Sequence, residues 1–105
     1  MAIHKLKTWP EQFEAIANND KTAEFRKDDR TFSVGDTLFL LEFDYNNDEY
    51  TALSILREVS HIERGGRFGI PEGFVILSLK GDGGMRVYTP SAEDRALEPK
   101  RWVNV

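Results

Sequence analysis

The chain has 105 residues and a mass of 12.1 kDa, enough for one domain and too little for a second with its own core. Its 14 Lys and Arg against 18 Asp and Glu give a formal net charge of -4, which argues against a strongly basic protein that coats nucleic acid without specificity. With no cysteine and only two histidines, it excludes a disulfide framework, a Cys-ligated zinc or iron–sulfur centre and cysteine nucleophilic catalysis, and neither a metal nor a cofactor is expected.

The acidity is uneven. Residues 1–35 carry six basic and six acidic side chains and residues 51–105 carry eight and seven, whereas residues 36–50 carry five acids and no base. No apolar run approaches the roughly 20 residues needed to cross a bilayer, and the opening Met-Ala-Ile-His-Lys lacks the apolar core of a signal peptide, so the expected compartment is the cytoplasm.

In chain order, Ile3 to Lys7 alternates as a short strand. Thr8-Trp9-Pro10-Glu11 reads as a helix start with Thr8 as N-cap, and Trp9, Phe13, Ile16 and Ala17 then share one helical face that belongs to the core. Asn18-Asn19-Asp20 ends that helix. From Lys21 the period becomes two, with Thr22, Glu24, Arg26 and Asp28 in one polar row and Phe25 on the other side. Val34-Gly35-Asp36 is a turn, Thr37 to Phe43 a largely buried strand, and Asp44 to Glu49 a hairpin loop. Tyr50 to Ile62 resumes β character with an irregularity near Ser54, Gly65 to Gly73 is a glycine-rich loop, and Phe74 to Leu79 is the strongest strand. Met85 to Thr89 reads as one more strand, Pro90 to Asp94 as the opening of a short helix, and Trp102 as a reason for the tail to fold back onto the body. The order predicts an α+β domain with mainly antiparallel strands, curled into a small open barrel that limits its edges.

Chemistry concentrates at residues 20–27. An ammonium, a hydroxyl, a carboxylate and a guanidinium from Lys21, Thr22, Glu24 and Arg26 on one wall can offer donors and acceptors to a nucleobase or another planar polar ligand. The plainer alternative is a solvated strand face with cross-strand ion pairs. His4 and His61 read as strand residues with a hydrogen-bond partner. Gly65-Gly66-Arg67-Phe68-Gly69 lacks the ending of a phosphate loop, and Asp44, Asp48 and Glu49 lack the spacing of a calcium loop.

The run Lys-Thr-x-Glu-x-Arg after a short helix, then Phe32-Ser-Val-Gly-Asp-x-Leu38, then Gly69-Ile-Pro-Glu-Gly-Phe-Val-Ile-Leu77, resembles the ASCH group of the PUA-like superfamily. More narrowly, with His4, Leu6 and Lys7 in the opening strand, it resembles small bacterial and phage proteins of the DUF3850 type over residues 3–80. The resemblance implies a PUA-like pseudo-barrel over residues 1–80, one N-terminal helix flanking a cleft, and residues 81–105 as an extension packed on the same domain. It further implies binding of RNA or a modified nucleotide through Lys7, Lys21, Thr22, Glu24 and Arg26, with the Gly65–Gly73 loop lying across them and bringing Arg64, Arg67 and Phe68 as phosphate and stacking contacts. The expected form is a monomer that binds without catalysis. One alternative, drawn from hydrolytic members of the group, is an amidohydrolase acting on an N-acylated nucleoside such as acetylcytidine, with Lys21, Thr22 and Glu24 as its catalytic groups. Here the match is partial, because Glu24 stands where those members have a threonine. A second alternative is a phage or plasmid accessory protein that binds another protein through the acidic loop from Asp44 to Glu49.

Overall fold

Alternating apolar and polar side chains build six strands, joined by two short helices, in the computed structural model, which describes residues 1–96. In chain order these are β1 (Ile3–Thr8), α1 (Pro10–Ala17), β2 (Ala23–Lys27), β3 (Thr37–Asp44), β4 (Glu49–Arg64), β5 (Phe74–Lys80), β6 (Arg86–Val87) and α2 (Ala92–Arg95). The strands form one mixed sheet in the order β1-β3-β4-β5-β2, with β6 paired to β4, and the sheet curls into a half-barrel. Trp102 lies outside the described residues.

Most neighbours are antiparallel, as expected, but β1 and β3 run parallel from Ile3 opposite Thr37 to Thr8 opposite Glu42. A parallel pair needs a crossover, and α1, β2 and the loop to Asp36 supply it. The inner face gathers Leu6, Phe13, Ile16, Phe32, Leu38, Leu40, Ile55, Val59, Val75 and Leu77 into one buried cluster. Burying ten such side chains is the main source of stability, each contributing roughly 1.5–3 kcal/mol before conformational entropy is counted.

Two sequence expectations for α1 change. Thr8 is the last residue of β1, extended and paired with Glu42, so its hydroxyl cannot cap the helix; Trp9 occupies the N-cap position without a side-chain cap bond. Phe13 and Ile16 are buried in the core, but Trp9 is only half-buried and packs on Tyr45, 5.3 Å between ring centroids, because it precedes the first helical turn. At the other end of α1, Arg57 donates to the carbonyl of Ile16 at 3.0 Å and to that of Gly83 at 2.7 Å. A buried guanidinium thus satisfies a helix-terminal carbonyl where the helix dipole favours a cation.

The irregularity expected near Ser54 is a bulge. From Leu41 to Phe43 β3 advances two residues while β4 moves from Ser54 to Tyr50, and within that stretch Ala52 takes a left-handed φ of 72°. The extra residues twist the end of the β3–β4 hairpin away from the rest of the sheet.

The segment after β5 lies on the sheet's second face. Tyr88 packs edge-on against Phe39, and buried Asp94 accepts from the Tyr88 hydroxyl and the Ser91 amide and lies 3.0 Å from Lys5 Nζ. Ser91 and Asp94 complete a capping box on α2. Of the expected Met85–Thr89 strand, Arg86 and Val87 pair with β4, and the Tyr88 amide also donates to Ala52 O at 2.8 Å.

Candidate functional site

Because β1 and β2 end the strand order, each has an edge without a strand partner among the described residues. Carbonyls of alternate residues in a strand point to the same edge, and on β1 those of Lys5 and Lys7 are met by arginines: Arg30 Nη1 donates to Lys5 O at 3.4 Å and Arg26 Nη2 to Lys7 O. Side chains therefore bridge the mouth of the half-barrel where a further ladder would close a full one.

Arg26 reaches that position because Glu24 and Arg26 share a face of β2 with the core-facing residues opposite them, Leu77 and Val75. The polar row is not half-exposed: Glu24 is 1% and Arg26 2% exposed, while Phe25 stacks on Phe74 across the other face. Arg26 Nε donates to Glu24 Oε2 at 2.8 Å. The second carboxylate oxygen of Glu24 lies 3.4 Å from Lys21 Nζ, and that ammonium also donates to Gln12 Oε1 of α1. A chain of polar groups thus runs from α1 through Lys21, Glu24 and Arg26 to the backbone of β1. Its three charged side chains sum to +1, and Lys21, with 29% of its side chain exposed, forms the outer end.

The inner end is incompletely bonded. Arg26 Nη1 and Thr8 Oγ1 are both buried and lack a hydrogen-bond partner among the described residues. The Arg26 guanidinium reaches the chain just before Thr8, since the carbonyl that takes Arg26 Nη2 belongs to the peptide joining Lys7 to Thr8. A buried donor left without a partner costs about 1–3 kcal/mol, so a molecule that bonds to it is rewarded by the same order. The cluster has the chemistry of a recessed polar site: one spare guanidinium donor, one hydroxyl able to donate or accept, a carboxylate and a partly exposed ammonium.

The other residues expected in the site go elsewhere. Lys7 contributes its carbonyl, but its side chain lies on the second face with Nζ 4.2 Å from the Phe43 ring centroid and 5.5 Å from that of Tyr50. Thr22 precedes β2, and its side chain is exposed. The Gly65–Gly73 connection meets the far end of β2, where the Asp28 amide donates to Gly73 O at 2.8 Å, whereas Lys21 lies at the near end, beside the Leu79 amide bonded to Thr22 O. Arg64 pairs with Asp28 at 3.1 Å and donates to Phe32 O at 3.0 Å. Arg67 and Phe68 stack on each other at 4.5 Å, and Phe68 is 75% exposed. The spacing of Lys21, Glu24 and Arg26 brings those three together, while the glycine-rich loop and its arginines form a separate surface at the other end of β2.

Gln12 and Thr8 were not legible as site residues. Gln12 gains meaning only once α1 packs beside the start of β2, and the Thr-x-Pro pattern pointed to a helix cap. Both histidines have partners: His61 lies 3.1 Å from Glu63, and His4 Nε2 donates to Asp36 at 2.8 Å. Asp36 belongs to the acidic segment yet is buried; the His4 bond first, then the amides of Ala2 and Ser33, hold its carboxyl down at about 2. Among the described residues no group of three or more His, Asp or Glu is placed to hold a metal ion, and no helix is long and apolar enough to cross a membrane.

A curled α+β half-barrel whose open edge is bridged by a buried ion-paired arginine is thus the class of domain that these residues define. The family model for the domain of unknown function DUF3850 matches residues 3–79, and the chain belongs to that family. A search of curated proteins finds no match.

Proposed function

We propose that the protein is a PUA-like module of the ASCH type that binds RNA or a modified nucleotide by inserting one base at the Thr8–Lys21–Glu24–Arg26 cluster. The observation that carries this reading is that two buried polar atoms, Arg26 Nη1 and Thr8 Oγ1, have no partner among the described residues and belong to a cluster whose ion-paired groups carry a net charge of +1. An acceptor such as a ring carbonyl would complete Arg26, and the planar edge of a base offers acceptors and donors at the spacing that a guanidinium and a hydroxyl require. The exposed Arg67–Phe68 pair provides a second, outer contact on which a flanking base can stack. Because the inner contacts address a base, affinity should depend weakly on salt.

NMR titration of the full chain with nucleosides and short single-stranded RNAs tests this. Shifts should centre on Thr8, Gln12, Lys21 and Glu24, and Thr8→Val and Lys21→Met should each weaken binding without unfolding the protein. The log–log salt slope should be that of one or two phosphates, about -0.7 for each on a single strand. A slope of many phosphates, or shifts confined to residues 64–73, would overturn the proposal. Release of cytidine from N-acetylcytidine in the same sample, lost in Lys21→Met, would replace it with hydrolysis.

A further inference from the structure

Residues 36–50 carry five carboxylates and no base, and the nucleotide reading makes no use of them. The fold brings one of these acids, Asp44, to the start of α1. There a small cavity of about 100 Å³ is lined by Trp9, Pro10, Glu11, Asp44, Tyr45 and Asn46, and it shares no lining residue with the Thr8–Lys21–Glu24–Arg26 cluster. One water needs roughly 10–15 Å³ of such space and a drug-sized ligand about 300–1,000 Å³, so the cavity suits a single small head group and is too small for a nucleoside.

Its walls are aromatic and acidic. Trp9 and Tyr45 meet at 5.3 Å between ring centroids with their planes tilted by 47°, and Phe43 backs Tyr45 at 4.8 Å. Trp9 stands here against local preference. At the N-cap it supplies no side-chain bond, where Ser or Asp would, and its buried Nε1 has no hydrogen-bond partner among the described residues. Departures from local preference gather at functional positions, and what this one provides is a ring. No basic residue is in the lining, and among the described residues neither Glu11 nor Asp44 forms an ion pair. Two carboxylates outweigh the charge of roughly +0.5 at the N-terminus of α1, so the cavity favours a cation.

The kind of cation follows from Asp44. Its Oδ1 accepts from the amides of Asn46 at 2.9 Å and Asn47 at 3.3 Å, and its Oδ2 accepts from Asn47 Nδ2 at 2.7 Å. The Asn47 side chain first, and then the Asn47 amide, hold the carboxyl below its ordinary value, so its charge persists while most of its lone pairs are occupied. A metal ion needs several free ligand atoms, and no group of three or more His, Asp or Glu among the described residues is placed to supply them. A primary ammonium brings three donors to a wall with few free acceptors. A quaternary ammonium brings charge without donors, and its methyl groups pack on aromatic rings. We propose that this cavity binds a quaternary ammonium head group, with its methyl groups against Trp9 and Tyr45 and its charge towards Glu11 and Asp44.

NMR titration of the full chain with choline tests this. The comparators are 3,3-dimethyl-1-butanol, which has the shape without the charge, and sodium and ammonium chloride, which have the charge without the methyl groups. Choline should shift the Trp9 indole N–H and the amides of Glu11, Tyr45 and Asn46, and the neutral analogue should bind at least about tenfold more weakly. Tyr45→Phe keeps the ring and should bind as the parent does, whereas Tyr45→Leu and Glu11→Gln, the latter at an exposed position, should each weaken choline about threefold or more. A short peptide carrying trimethyllysine distinguishes the source: tighter binding than choline assigns the head group to a modified protein, equal or weaker binding to a free metabolite, and both support a quaternary ammonium site. Equal binding of the neutral analogue, equal shifts with sodium or ammonium, or no shift at Trp9 would each overturn the proposal. Failure of nucleosides to shift Lys21 would overturn the nucleotide reading alone.

Discussion

Replacing Glu24 alone by Leu should destabilise the protein severely, whereas replacing Glu24 and Arg26 together by Leu and Met should not. Glu24 and Arg26 are 1% and 2% exposed and bonded to each other at 2.8 Å. Without Glu24 the guanidinium remains buried with a single carbonyl partner, and breaking a buried pair in this way costs about 3–5 kcal/mol. That is a large part of the roughly 5–15 kcal/mol that holds a domain of this size together. Arg26→Met alone leaves the carboxylate with only Lys21 and strips the Lys7 carbonyl at the open edge, a loss in the same range of about 3–5 kcal/mol. In the double variant neither charge is buried. Apolar replacement of a buried pair is neutral or stabilising by about 1–4 kcal/mol, against which the bare Lys7 carbonyl costs about 1–3 kcal/mol. The double variant should therefore lie within about 3 kcal/mol of the parent and above both single variants. Urea unfolding followed by far-ultraviolet circular dichroism measures this, with unchanged m-values confirming that compactness is preserved. If the double variant loses the sum of the two single losses, the groups are not a coupled pair and the edge is closed by something else. If it is stable and still binds nucleosides, the charges have no part in recognition.

Other expected outcomes follow from the same geometry. The Asp36 carboxyl is held at about 2, below its ordinary value near 3.9, so its bonds stabilise the fold above about pH 4 and that stabilisation is lost as pH falls towards 2; Asp36→Asn should flatten this acid limb in unfolding measured from pH 7 down to pH 2. Asp94 works in the same sense: burial would raise its carboxyl, but the Tyr88, Ser91 and Lys5 bonds outweigh burial and bring it to about 2, so Asp94→Asn should remove a second part of the limb and free Tyr88. Gly65→Ala would set a methyl 2.0 Å from the Pro71 carbonyl oxygen and 2.8 Å from that of Phe74, so it should lower the melting temperature more than Gly66→Ala, whose methyl meets nothing but whose φ of 91° costs about 1–2 kcal/mol. Phe68 is exposed at a φ of 55°, so Phe68→Gly should leave thermal stability intact while weakening binding of RNAs longer than one nucleotide; an unchanged affinity would remove the stacking role.

Local pattern was enough for the strands. The alternation in Ile3 to Thr8, the apolar run from Phe74 and the turn residues around Gly35 and Asp44 each state one preference, and the observed elements follow them to within a residue or two. What local pattern could not carry was pairing. The parallel match of β1 with β3 depends on a crossover whose three parts are individually ordinary, and the same unseen pairing decides the meaning of the polar row on β2. Glu-x-Arg on a strand reads equally as a solvated face or a buried pair; the difference is whether that face curls inward onto Val75 and Leu77. Thr8 failed for a related reason, since its capping signal competes with a strand that continues one residue further because Glu42 pairs with it.

The placement of Arg26 links stability to recognition. A half-barrel that ends in two open strands must satisfy the carbonyls of its last edge, and a hydrophobic side chain cannot do so. Arginine can, but it brings more donors than one carbonyl can use and a charge that needs a carboxylate. Glu24 supplies the carboxylate and engages Nε, Lys7 O engages Nη2, and Nη1 is left buried without a partner among the described residues, as is the Thr8 hydroxyl. The donor available for a ligand is thus a by-product of closing the edge, and Lys21, tethered to both Gln12 and Glu24 but 29% exposed, is the group through which an entering base would first disturb that network. Lys21→Met therefore separates the two roles more cleanly than any change at Arg26: the edge bridge remains, the net charge of the cluster falls from +1 to zero, and lost nucleoside binding at unchanged unfolding midpoint assigns the ammonium to recognition.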